Sequence, residues 1–199
     1  MKLYNNLVSN ECISKIKLVL PVPKTLVHEH MEANHLREIA QGVDTDSYHV
    51  ELVSIDSMDY NRQTIAELDT SRLKAFAITL THPRYSWNFE PERRECPIDF
   101  FFDVELNEEL SNARNFLIDQ IRVDKQKDEL EYRPKVMLRQ NISHEWDEYA
   151  HAYANPESAE IARFLADRIE VRNYENEDKY QILHSITLDD RLPLFAHDN

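Results

Sequence analysis

The sequence predicts an α+β fold: one domain over 1–199, a mixed or antiparallel sheet with helices packed on it, and a helical pair toward the C-terminus. Three observations carry this. Residues 97–121 pass from a period of two to a helical period across a single cap. Strand-like and helix-like segments follow one another without the strict alternation of a doubly wound sheet. Hydrophobic residues make up 42% of the chain, enough for a real core.

The elements follow in order. Residues 13–20 place Ile16, Leu18 and Leu20 on one face of a strand that Pro21 and Pro23 end. A helix is expected over 25–40 and stops at Gly42, the only glycine in the chain. Residues 48–55 read as a strand, 61–73 as a short helix, and 74–81 as a strand with Phe76, Ile78 and Leu80 in register. The span 83–97 reads as an irregular loop, and a sub-boundary of the domain would fall there.

The segment 97–121 is the best specified. Phe100, Phe102, Val104 and Leu106 alternate with Asp99, Phe101, Asp103 and Glu105. Asn107 is placed to cap, Glu108 and Glu109 suit the positive end of the helix dipole, and Leu110, Ala113, Leu117 and Ile121 form an apolar stripe. A charged connection follows over 123–134, then a short strand at 135–139. Two helices are expected next, 143–154 with a seam of Trp146, Tyr149 and Tyr153, and a second through Ile161, Phe164, Leu165 and Ile169. Residues 179–188 read as the last strand.

Composition excludes several classes. A single glycine leaves no phosphate-cradling loop, dinucleotide fingerprint or nucleophile elbow. A net charge of −14 disfavours direct nucleic-acid binding and anionic membrane surfaces. There is no apolar leader and no membrane-length run, and Cys12 and Cys96 lack metal-type spacing, so a reduced, cytoplasmic setting is expected.

Two patterns could carry metal chemistry. His28, Glu32 and His35 have the same spacing as His144, Glu148 and His151, and Glu-x-x-His pairs on helices can build carboxylate-bridged sites. Asp103 and Glu105 would share one face of a strand, as metal-holding acids of nucleases do. His144, Glu148 and His151 point away from their helix seam, and a D-x-E pair is also an ordinary polar face, so neither metal nor cofactor is assigned.

The reading that results is a soluble, acidic protein–protein interaction module without a recognisable catalytic site. It would be a subunit, adaptor or inhibitor of a bacterial or phage multi-protein system, a DNA mimic included. Its partner-binding element is the loop carrying Arg84, Tyr85, Trp87, Phe89, Arg93 and Arg94, since Tyr, Trp and Arg dominate binding hot spots. Its acidic face is Asp44, Asp46, Glu51, Asp56 and Asp59. The alternative is a metal-dependent hydrolase or nuclease built from the His/Glu/Asp sets.

Overall fold

A computed structural model describes residues 15–33, 48–56, 65, 67–68, 73–87, 98–121, 132–142, 162–174 and 179–188. Its elements are β1 (Lys15–Pro21), α1 (Lys24–Ala33), β2 (His49–Asp56), β3 (Phe76–Trp87), β4 (Ile98–Val104), α2 (Glu108–Ile121), β5 (Lys135–Ile142), β6 (Ala162–Ala166), β7 (Arg168–Tyr174) and β8 (Tyr180–Thr187).

The strands form one eight-stranded sheet in the order β6-β3-β4-β5-β2-β1-β7-β8. Every neighbouring pair is antiparallel. This corrects the predicted class. The molecule is a curled antiparallel sheet, a half-barrel with two helices among the described residues, and not a sheet covered by helices with a helical pair at its end. The segment read as the second C-terminal helix is strand β6 and the start of β7. Ile78 pairs with Phe164, and Leu18 with Val171, so the apolar run satisfies its backbone across the sheet. A short apolar run fits both periods, and the waiting sheet edges decide it. The first helix of that pair, 143–154, lies outside the described residues.

One face of the sheet carries the core. Phe76, Ile78 and Leu80 of β3, Phe100 and Phe102 of β4, Val136 of β5, Val50 and Leu52 of β2, Leu18 and Leu20 of β1, and Ile169 and Val171 of β7 are all buried in a single cluster. Both helices add to it: α1 through Val27 and Met31, α2 through Leu110, Ala113, Leu117 and Ile118. Asn107 caps α2 as expected, its Oδ1 accepting from the Leu110 amide at 2.8 Å while its Nδ2 donates to the Ala77 carbonyl at 2.9 Å. One side chain therefore starts a helix and ties that helix to β3.

The sheet has a thin point. β2 meets β5 at the single pair Val50–Val136, whereas β1 and β2 pair over their whole length. Two four-stranded halves, β6-β3-β4-β5 and β2-β1-β7-β8, thus join at one narrow seam. Tyr132 reinforces it by donating to the Glu51 carbonyl at 2.7 Å, with the Arg114 guanidinium of α2 stacked 4.3 Å over its ring.

Candidate functional site

The face opposite the core is polar, and parts of it are deeply enclosed. Val19 and Tyr174 are buried without joining the core cluster; Glu170 and Arg172 are buried beside them on β7, and Thr79 is buried on β3 in the other half. A flat sheet would leave such a face in water. Their burial identifies this face as the inside of the curl.

In the half containing β1, Glu170 and Arg172 lie two residues apart on β7 and so share this inner face. Arg172 Nη2 donates to Glu170 Oε2 at 2.7 Å, Nε to the same oxygen at 2.9 Å, and Nη1 to the Tyr174 hydroxyl at 3.4 Å. The guanidinium stacks 4.2 Å over Tyr180. Burial raises the Tyr174 phenol above its ordinary value although Arg172 and Lys17 pull it down. Lys17 reaches Glu51 at 2.8 Å, and His49 lies 3.5 Å from the Tyr174 hydroxyl. The charged groups here are paired with one another, and Arg168 also reaches Glu170 at 3.1 Å.

The other half is organised by a bulge. Leu80 pairs with Val104 and Pro83 with Phe102, so Thr81 and His82 together oppose Asp103. A bulge costs ladder hydrogen bonds, and here they are replaced. The Thr81 hydroxyl donates to the Asp103 carbonyl at 3.2 Å, and His30 of α1 donates through Nε2 to the Thr81 carbonyl at 3.1 Å. Nδ1 of His82 is buried with no hydrogen-bond partner among the described residues.

Asp103 stands at the centre of this site. Burial raises its carboxyl above the ordinary aspartate value, while Arg84, His82, Arg133 and Lys135 pull it the other way. Arg84 pairs with it directly. Lys135 faces it from β5 and lies 4.9 Å over the Phe101 ring. Four basic groups thus surround one acid, a positive spot within a chain of net charge −14. Such a spot suits an anion: guanidinium and ammonium groups neutralise phosphate oxygens, and a histidine can move a proton beside them.

The residues singled out from sequence distribute unevenly over this site. Arg84 and Asp103, assigned to a partner loop and to a metal set, are brought together. Glu51, assigned to an acidic face, is neutralised on the inner face by Lys17. Tyr85 packs half-buried against the core, and Trp87 ends β3 rather than sitting in a loop. Asp56 ends β2 opposite Lys15. Glu105 is exposed beyond the end of β4, and its amide bonds the Thr79 carbonyl at 3.0 Å. His28 and Glu32 are exposed on α1, with His28 edge-on to Tyr48 at 6.0 Å. Among the described residues no three His, Cys, Asp or Glu side chains are grouped to hold a metal. Phe89, Arg93, Arg94, Asp44, Asp46, Asp59, His35, His144, Glu148 and His151 lie outside the described residues. His82, Arg133 and Lys135 were missed. The one available signal was the alternation of Thr79 and Thr81 with Ile78 and Leu80, which marks a strand with a polar inner face.

No protein-family model matches the sequence, and no curated sequence is significantly similar to it. The fold is nevertheless shared. LigT of E. coli, solved in complex with 3'-AMP, superposes with a TM-score of 0.57 at 13% identity, over 88% of this chain and 98% of that one. LigT solved in complex with NADP+ gives 0.52 at 12% identity, again over 88% and 98%. A structure described as a phosphoesterase gives 0.50 at 12%, over 89% and 99%. The likeness runs through essentially the whole of each chain, and what it shows is a LigT-like fold. It also overturns the expectation of an acidic interaction module, whether adaptor, inhibitor or DNA mimic. That reading rested on finding no catalytic motif along the sequence, and this fold assembles its concave face from separate strands. Among the described residues no helix is long and apolar enough to cross a membrane.

Proposed function

We propose that this chain is a phosphoesterase that takes a nucleotide-type phosphoester on the inner face of its sheet. The observation that carries the reading is the meeting of three basic side chains at Asp103, Arg84 paired with it, Lys135 opposite it on β5 and His82 in the bulge across from it, with the Arg133 charge also acting on it, in a fold solved elsewhere with 3'-AMP and NADP+. Arg84 and Arg133 offer forked donors to the phosphate oxygens, and Lys135 offsets the charge that develops as the ester bond breaks. His82 transfers the proton at the attacking or departing oxygen. Asp103 keeps Arg84 in place until substrate arrives.

The test is titration calorimetry with 3'-AMP and NADP+, together with release of nitrophenolate from bis(p-nitrophenyl) phosphate. Saturable binding and turnover are expected. Lys135→Ala should weaken nucleotide binding roughly tenfold, the equivalent of about 1.4 kcal/mol, and His82→Gln should remove turnover with binding retained. Neither binding nor turnover at millimolar ligand would overturn the proposal. A second reading, nucleotide binding without turnover, is favoured by the ion pair that already occupies both Arg84 and Asp103; binding with no nitrophenolate released by the unaltered protein would establish it.

A further inference from the structure

His30 is a polar side chain in an apolar place. It sits on α1 at 3% exposure, with its ring 4.4 Å from that of Phe102, on the core side of the sheet. Its Nε2 lies 3.1 Å from the Thr81 carbonyl. A carbonyl only accepts, so Nε2 must carry the proton. Thr81 is the first residue of the bulge, His82 the second, and the Thr81 hydroxyl holds the Asp103 carbonyl across it. The bulge is therefore fixed from below by a helix and from the side by a strand. Between them these contacts set where His82 and Asp103 stand on the inner face. A core histidine needed only for packing would be better replaced by an apolar residue, because burying a polar ring costs free energy unless its hydrogen bonds are made.

We propose that His30 is a positioning residue, whose Nε2 hydrogen bond to the bulge holds His82 and Asp103 in the geometry that receives the phosphoester. This rests on the reading of the inner face given above. The coupling runs through one carbonyl: without its donor, Thr81 keeps only its hydroxyl bond to the Asp103 carbonyl, and the direction of the residues after it is less firmly fixed. It also links α1, which packs on the core through Val27 and Met31, to the reacting groups.

The experiment compares two side chains of nearly equal shape. His30→Gln keeps a donor at the Nε2 position, while His30→Met fills the space without one. The first readout is the His82 ring signal in heteronuclear NMR at fixed pH without ligand, identified by its loss in His82→Gln. The second is affinity for 3'-AMP. His30→Met is expected to move the His82 signal and weaken 3'-AMP roughly tenfold, and His30→Gln to restore both. A folded His30→Met protein with an unmoved His82 signal would overturn the proposal. Because the methionine variant can fail to fold, the ring nitrogens of His30 are also read in the unaltered protein. A tautomer with the proton on Nδ1 and a bare Nε2 would overturn the proposal on its own. Should the unaltered protein not bind 3'-AMP at all, the reading of the face fails, and the His82 signal alone still decides whether His30 sets the bulge.

Discussion

Asp103 is held between two opposing effects, and their balance can be read by titration. Burial raises its carboxyl above the ordinary aspartate value, and Arg84 first among its neighbours works against that. A carboxyl raised by folding adds stability that is fully present below its unfolded value and is lost as pH rises through the folded one. Asp103→Asn does not titrate. The stability of the native protein relative to this variant should therefore decline as pH climbs above the ordinary aspartate value of about 4, measured by urea unfolding at successive pH values. A rise there would mean that the Arg84 pair outweighs burial. At this scale the sequence named two of the central groups, Arg84 and Asp103, in unrelated roles. It could not join them to Lys135 or His82, because facing across strands is set by register and by a bulge, and neither is local.

Among the elements, the β4–α2 unit was the most legible. Its alternation, its Asn107 cap and its apolar stripe all agree, and local signals that agree need no help from the rest of the fold. Phe102 lies at 0% exposure between strands, against the His30 ring. Phe102→Ala is expected to cost about 3–5 kcal/mol through the cavity it leaves, seen as a fall in the urea midpoint with an unchanged slope. Asn107→Ala is expected to cost about 1 kcal/mol; no change in the midpoint would mean that water replaces both of its bonds. β6 and β7 were illegible for the opposite reason. Leu165 is 53% exposed while Phe164 packs on the core, so a five-residue edge strand carries too little alternation to declare itself.

At the scale of the whole molecule, the two four-stranded halves depend on contacts outside the ladder. Tyr132 is the clearest of these: burial raises its phenol well above the ordinary value, despite the nearby Arg114 cation, so the hydroxyl stays protonated as the donor that Glu51 needs. Tyr132→Phe should cost about 1–3 kcal/mol by leaving that carbonyl unsatisfied, and amide exchange along β2 should quicken more than along β7. Equal exchange in both strands would show the seam to be held elsewhere. The seam was invisible in the sequence, since nothing in Val50 or Val136 says that they meet once and part.

The order of strands also bears on how the chain is made. β1 lies between β2 and β7, and its partner β7 begins only at Arg168. During synthesis Leu18 and Val19 must wait, with one strand edge open, while the intervening chain emerges. At about 5–20 residues per second that delay is on the order of ten seconds. A ribosome stalled before β7 would hold six of the eight strands with one edge of β1 still unpaired, so messages truncated before β7 should yield aggregates rather than smaller folded products.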